Sequence, residues 1–513
     1  MTIGRTRSIS LRGLEGQPVE IEADLGPGIP AVVLIGLPDT ALGEARERVR
    51  SACANTGCVL PNRRITVNLS PASLPKHGSG FDLGIAMAML AAAGTVAADS
   101  VARVVHLGEL ALDGRLRAVP GVLPAVVAAR RAGCEIVMVP TLCAREAELV
   151  EGIRVVPVAT LRDAAVWHRA ALPPSGAAEV VEVPSEPPAA ALAPPPDLAE
   201  VVGNADAVRA LTVAAAGGHH LFMLGPPGAG KTMLATRLPG LLPALDAEQA
   251  IEVASIRSLS GLPVTELSSV PPFESPHHTA SAAALVGGGS GVIRPGAIAR
   301  AAHGVLFLDE APEFSRVALD ALRQPLESGR ITVHRAIATA SFPAAFQLVL
   351  AANPCPCGRD GDIGCECSSI ARRRYLGRLS GPLLDRVDLQ IRVGRITATQ
   401  LRLAARASGM STAVARQRVA EARAAASTRL AGTPWRRNAD VPGSWLRGRD
   451  GGPSLPAAAT ATIDRALERG AITMRGYERL MRVAWTIADL DGLDRPGAAQ
   501  VDEAAGFRMA VAA

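Results

Sequence analysis

Apolar and polar positions alternate along much of the first third of the chain. Val19-Glu20-Ile21-Glu22-Ala23 and Arg64-Ile65-Thr66-Val67-Asn68-Leu69 place an apolar side chain at every second position, the period of a half-buried strand. Helical stretches are mixed with these strands over residues 1–172. Between Pro173 and Pro196 proline, alanine and glutamate dominate, a composition that cannot build a core and reads as an interdomain linker. Over 197–395 the pattern changes. Short apolar runs such as Leu221-Phe222-Met223-Leu224 alternate with helical patterns, as expected of a parallel α/β core. Residues 396–513 carry helical periodicity, for example Thr462 to Arg469, and read as a small helical domain. No internal repeat is apparent.

Length and composition refine this picture. A chain of 513 residues can hold roughly three domains, each with its own core. Hydrophobic residues make up 48% of it and aromatics only 3%, so Ala, Val and Leu must fill a helix-rich α/β interior. Arg5 and Arg7 near the start are not followed by an apolar h-region, so no signal peptide is expected. The uncharged stretch Leu83 to Ala98, rich in Ala and Gly, falls short of a membrane span. The expectation is a soluble cytoplasmic protein without a membrane partner.

Charge composition adds a clue. Of 53 basic residues only Lys76 and Lys231 are lysines. In a chain that uses arginine wherever any cation will do, a remaining lysine marks a place where a guanidinium does not fit.

Lys231 stands in Gly225-Pro226-Pro227-Gly228-Ala229-Gly230-Lys231-Thr232, directly after the run Leu221 to Leu224 and before the helical Met233-Leu234-Ala235. This strand–loop–helix context is what a phosphate-binding P-loop requires. Glycines let backbone N–H groups turn inward around phosphates, and the helix N-terminus adds its dipole. Lys231 is expected at the β- and γ-phosphates of ATP, with the Thr232 hydroxyl on Mg²⁺. A second element agrees. Val305-Leu306-Phe307-Leu308-Asp309-Glu310 is an apolar strand ending in two carboxylates, Asp309 for the Mg²⁺ shell and Glu310 to polarise the attacking water. Gln347 to Ala352 is a further buried strand, and Asn353 at its end is placed to orient that water.

In order and spacing these residues resemble those of the AAA+ ATPases, P-loop proteins with an α/β core and a helical lid. The resemblance implies that Arg386, in Leu383-Leu384-Asp385-Arg386-Val387-Asp388, is an arginine finger acting on a neighbouring subunit's nucleotide. It also implies that Arg475, in Thr473-Met474-Arg475-Gly476, is a lid arginine of the sensor 2 type. Further motifs are similar to the Mg-chelatase-like ATPases of the YifB/ComM family: Ser275-Pro276-His277-His278-Thr279, Ala284 to Gly289, Asn353-Pro354-Cys355-Pro356-Cys357-Gly358 and Gly381 to Arg386. Val33 to Asp39, Glu47 to Arg50, Arg64 to Leu69 and Thr486 to Leu490 extend the likeness over nearly the whole chain. The family implies a homo-hexameric ring that binds single-stranded or branched DNA and moves recombination intermediates during natural transformation. Two departures stand out: Ala297 and Ala299 where the family usually has Glu and Ser, and Trp485 where it usually has Arg. These bear on ring contacts or lid signalling rather than on the core site.

Cys355, Cys357, Cys365 and Cys367 crowd into one window with Gly358, Gly361 and Gly364 between them. Four thiolates suit tetrahedral Zn²⁺ with no open position, hence a structural site bracing the loop between Asn353 and Arg386. Arg372-Arg373-Arg374 and Arg378 follow, as candidates for DNA phosphates or a neighbouring subunit. From Ile396 onward there are 17 arginines against 11 acids, an excess that suits DNA contact without base stacking. His277 and His278 lack a third ligand at metal spacing and are expected in packing or at an interface, and His219-His220 in a turn. Leu74-Pro75-Lys76-His77-Gly78-Ser79-Gly80 resembles the Pro-Lys-Asp-Gly-Pro-Ser-Ala-Gly stretch of Lon-type proteases, but the nucleophilic serine falls on Gly80. The N-terminal domain is therefore expected to be Lon-like in fold, without protease chemistry, and Lys76 either to contact DNA or an adjacent subunit or to be a conformational leftover. A magnesium-chelatase ATPase subunit is the alternative function. It is weakened because the chelatase motor lacks such an N-terminal domain, and its larger partner's Asp-x-Ser-x-Ser module is absent here. A Lon-like protease is disfavoured by Gly80.

Overall fold

The computed structural model describes residues 3–36, 40–74, 76, 78–173, 195–289, 293–334, 339–359, 365–404 and 409–509. Most of the expected linker, the tip of Val33 to Asp39, Pro75, His77, Gly361 and Gly364 lie outside the described residues.

A mixed seven-stranded sheet holds the N-terminal region. Its strands are β1 (Gly4–Arg12), β2 (Glu15–Gly26), β3 (Ala31–Ile35), β4 (Arg64–Ser70), β5 (Val104–His106), β6 (Ile136–Pro140) and β7 (Arg154–Val158), in the order β3-β4-β2-β1-β5-β6-β7. The alternation read from sequence is realised in the β2–β4 pairing, where Ile21 faces Leu69 and Ala23 faces Val67 in antiparallel register. Val19, Ile21, Ala23, Ile65, Val67 and Leu69 are all buried, in contact with helix Asp82–Ala92. Every residue of that helix is buried, which accounts for the uncharged run after Asp82: it is a core helix, apolar on all sides beyond its first residue, whose carboxylate pairs with Arg48 at 2.8 Å.

Five strands build the second sheet: β8 (Leu221–Leu224), β9 (Phe273–Glu274), β10 (Val305–Leu308), β11 (Gln347–Ala352) and β12 (Leu389–Arg392), ordered β9-β10-β11-β8-β12 and parallel throughout. Apolar runs without alternation are required because both faces are covered. Leu221, Met223, Val305, Phe307, Val349 and Ala351 point into one apolar cluster, and Phe222, Leu224, Leu306, Leu308, Leu348 and Leu350 into another.

Separate cores for the two C-terminal segments are not what the structure contains. The first of these clusters runs without a break from the sheet into Val419, Leu480, Val483 and Trp485 of the C-terminal helices. The N-terminal region is joined to the rest in the same way, because Ala254 and Val264 pack in the cluster of Ile9, Leu123 and Val137. At that junction the Gly121 N–H donates to Ser258 O at 3.2 Å.

Lys76 corrects the sequence-based expectation of DNA or subunit contact. It is fully buried, its ammonium donating to Gly36 O and Leu69 O at 2.9 Å each and to Pro71 O. An enclosed side chain reaches neither DNA nor a neighbour.

Trp485 is also buried. The Arg429 guanidinium lies 4.5 Å over its ring and pairs through both terminal nitrogens with Asp489. The tryptophan therefore occupies a cation–π stack in the helical core.

Candidate nucleotide site

In a parallel sheet, ligands bind beyond the C-terminal strand ends, and β8, β10 and β11 end side by side there. The loop after β8 departs from extended geometry where glycine allows it: φ is +77° at Gly228 and +93° at Gly230. Gly225 is required for a second reason, since a Cβ there would lie 2.2 Å from Val393 O. Helix Lys231–Ala235 starts immediately after Gly230. Asn204 pins the loop from outside, its side-chain amide donating to Gly394 O at 3.2 Å and Ala229 O at 3.4 Å. Nothing in the sequence pattern had marked Asn204.

Lys231 is the centre of the site. Its ammonium donates to Gly225 O at 2.6 Å, Pro226 O at 3.0 Å and Asn353 Oδ1 at 3.0 Å. Burial lowers its pKa, and the nearby carboxylates of Asp309 and Glu310 oppose that shift. The Thr232 hydroxyl donates to Asp309 Oδ2 at 2.7 Å. A hydroxyl and a carboxylate meeting at that distance offer two hard oxygens to one small divalent cation. The donor set therefore fits Mg²⁺, and the open glycine loop with a desolvated ammonium fits a polyphosphate.

Glu310 follows with left-handed backbone, φ +49°, a conformation costly for a non-glycine residue and characteristic of functional positions. Its N–H donates to Asp309 Oδ1 at 2.9 Å, and its carboxylate faces His278 Nδ1 at 3.3 Å. The expectation that His278 serves packing or an interface thus needs correcting, because it contacts a site carboxylate. His219 and His220 do lie between a helix and β8 as expected, yet their side chains also bind. His219 Nε2 is 2.7 Å from Thr486 Oγ1, and the Leu348 N–H donates to His220 Nδ1 at 3.0 Å.

Lys231, Thr232, Asp309, Glu310 and Asn353 are brought together, whereas two arginines are not. Arg386 is largely buried and pairs with Glu327 of its own chain, also donating to Pro382 O at 2.5 Å. Arg475 is exposed in the first turn of helix Met474–Leu490, without a hydrogen bond or ion pair among the described residues. Two other arginines, Arg392 and Arg395, line a cavity of about 290 Å³ against Gly225 and Pro226. No motif had singled them out.

Three consecutive stretches match families described as subunit ChlI of Mg-chelatase (21–142), magnesium chelatase, subunit ChlI (197–401) and magnesium chelatase, subunit ChlI C-terminal (409–508). Competence protein ComM of Haemophilus influenzae is 41% identical over 515 residues, covering 100% of this chain and 98% of its own length. This chain belongs to the YifB/ComM family of Mg-chelatase-like ATPases. YifB of Escherichia coli is 37% identical over 99% of this chain and 97% of its own length, and an uncharacterized protein of Mycobacterium tuberculosis 50% identical over 99% of both. Membership implies ATP and Mg²⁺ as ligands. Among the described residues no helix is long and apolar enough to cross a membrane.

The four clustered cysteines sit next to this site. All four Sγ atoms lie within 4.8 Å of one another, with separations of 3.2 Å (Cys355–Cys357), 3.5 Å (Cys357–Cys365) and 3.8 Å (Cys355–Cys365). Four sulfurs around Zn²⁺ at about 2.3 Å stand about 3.8 Å apart, so the set needs only small adjustment to become a tetrahedral site. Arg372 donates to Cys365 Sγ at 3.5 Å. Arg378 pairs instead with Glu313 at 2.8 Å.

Proposed function

We propose that this protein is an ATP-hydrolysing motor that acts on DNA as a homo-hexameric ring, driving branch migration or unwinding in recombination or transformation. The observation that carries the nucleotide half is the joint placement of Lys231, Thr232, Asp309, Glu310 and Asn353 at adjacent strand ends. Lys231 and the N–H groups of Gly228 and Gly230 would hold the ATP phosphates, and Thr232 and Asp309 would hold Mg²⁺, which supplies neutralising charge. Glu310 accepts the proton of the attacking water, and Asn353 orients that water.

Arg386 acts in trans on the next subunit's nucleotide, leaving Glu327 as the ring closes. The C-terminal helices serve as a lid that carries Arg475 toward the nucleotide. The N-terminal region is a Lon-like module without a nucleophile. Residues 173–196 link it to the ATPase, and the four cysteines hold a structural zinc.

The DNA half is supported by family membership and by the name of the Haemophilus relative, a competence protein. Steady-state ATPase assays with no DNA, single-stranded DNA, duplex and a four-way junction test it directly. Branched or single-stranded DNA is expected to raise turnover severalfold, in a salt-sensitive manner. Turnover indifferent to every DNA would exclude a DNA motor while leaving the ATPase intact.

A further inference from the structure

The cysteine cluster adjoins the nucleotide site on three sides. Cys355 follows Asn353 by two residues, so the chain that carries the Lys231 acceptor enters the sulfur cage directly. Gly358, in left-handed geometry (φ +77°), is pressed against the P-loop: a Cβ there would lie 2.7 Å from Pro227 Cγ. The third connection is helix Ser369–Leu376. Arg372 donates to Cys365 Sγ, and one turn on, the buried Tyr375 phenol hydrogen-bonds the Asn353 backbone. Burial, then the carboxylates of Glu313 and Glu310, push that phenol up to about 12, so it stays neutral.

We infer that the four-cysteine site is a metal clamp on the nucleotide site, in which a tetrahedral thiophilic cation, Zn²⁺, holds Asn353 and Pro227 in the arrangement that binds nucleotide. The inference rests on the zinc reading above and goes beyond it. A merely structural knuckle would stabilise its own loop, whereas a clamp also sets the affinity of a site that contributes none of its ligands. Without the ion, no metal–sulfur bond ties Cys355 and Cys357 to Cys365 and Cys367 across the cluster. The Asn353 backbone, held by the Tyr375 phenol, and the Pro227 ring, packed on Gly358, then lose their fixed supports beside the P-loop. Displacements on the order of 1 Å at such supports cost large factors in a preorganised site.

The test uses the full-length protein with excess Mg²⁺ throughout. Zinc is measured by mercurial release into a chromogenic chelator, and nucleotide affinity with a fluorescent ATP analogue. The samples are wild type as purified, wild type stripped by a zinc-selective chelator, the stripped protein reloaded with Zn²⁺, and Cys357→Ser, chosen because Cys357 is the exposed member. The expected result is about one zinc per chain in wild type, with stripping and Cys357→Ser each weakening nucleotide binding about tenfold and reloading restoring it. No zinc bound, even after reloading, would overturn the zinc reading itself. Zinc bound and removable with unchanged nucleotide affinity would overturn the clamp and leave a structural zinc. If Cys357→Ser fails to fold, the stripped and reloaded wild type still decides between the two.

Discussion

The two lysines of this chain sit in different regions and are bound in the same way. Lys76 gives its three N–H bonds to Gly36 O, Leu69 O and Pro71 O, and Lys231 gives its own to Gly225 O, Pro226 O and Asn353 Oδ1. Both are buried, at 0% and 8% exposure. An ammonium presents three donors around a point, and a planar guanidinium presents five in a fork, so neither cage accepts arginine. The regions differ in what surrounds the cage. Burial alone lowers the pKa of Lys76, whereas at Lys231 two carboxylates oppose the same shift and one acceptor is a side chain that can rotate away. A cage of three fixed carbonyls closes on the cation. An open cage holds it for exchange.

Two substitutions test whether that difference is real. Lys231→Ala is expected to lower ATP turnover roughly a thousandfold, as for loss of a preorganised charged donor, while leaving the melting temperature unchanged. Lys76→Arg should do the reverse. Orphaned carbonyls and an ill-fitting fork should cost about 3 kcal/mol of stability, read as a lower urea midpoint, with turnover per folded chain preserved. A Lys76→Arg protein of normal stability would refute the closed cage, and one that is stable but inactive would place Lys76 in the nucleotide chemistry.

What the sequence revealed follows the same division. The proposed P-loop is local: strand, glycines and helix start lie within a dozen residues, so spacing alone suggests it. The survival of Lys76 against the arginine bias was also visible, but its partners were not. Gly36 lies 40 residues away and meets Leu69 only because β3 pairs with β4. His278 was obscured similarly, since it faces Glu310 only through the pairing of β9 with β10. Trp485 could be flagged as a departure, yet its stack on Arg429 spans two helices and leaves no sequence period. The expected core of the C-terminal helices proved continuous with that of the second sheet, because apolar periodicity marks a buried face and says nothing of which element covers it.

Acid sharpens the contrast between regions. In the N-terminal region His106 and His168 face each other through Nε2 at 3.0 Å, capped by Thr6 and Ser100. Burial lowers His168 to about 4 and His106 well below its ordinary value. Both therefore fold as neutral rings, and the unfolded chain takes up protons first. Stability is fully present above pH 6.5 and is lost as pH falls from 6.5 toward 4, by about 3 kcal/mol for His168 alone. Trp167 packs edge-on to His168 at 4.6 Å and reports this loss. His168→Asn should flatten the Trp167-detected dependence over that window. Burial also lowers His220, beside the second sheet, to about 4, so the dependence there, followed through Trp485 of the core that sheet shares, should persist in that variant. Loss of both signals together would mean that the two regions unfold as one unit.

The smallest effect is expected at His278. Its contact with Glu310 joins two partly exposed side chains, 32% and 48%, so solvent screens it and its worth is below about 1 kcal/mol. His278→Ala should therefore reduce kcat only about two- to fivefold with KM unchanged, because Glu310 keeps its left-handed backbone and its N–H bond to Asp309. Steady-state kinetics beside Glu310→Gln, which removes the proposed proton acceptor, separates holding from chemistry. A His278→Ala loss as deep as that of Glu310→Gln would mean that the backbone does not aim the carboxylate. The open cage around Lys231 would then depend on a side chain outside it, and the contrast with the self-contained cage of Lys76 would widen from one exchangeable acceptor to a second strand of the sheet.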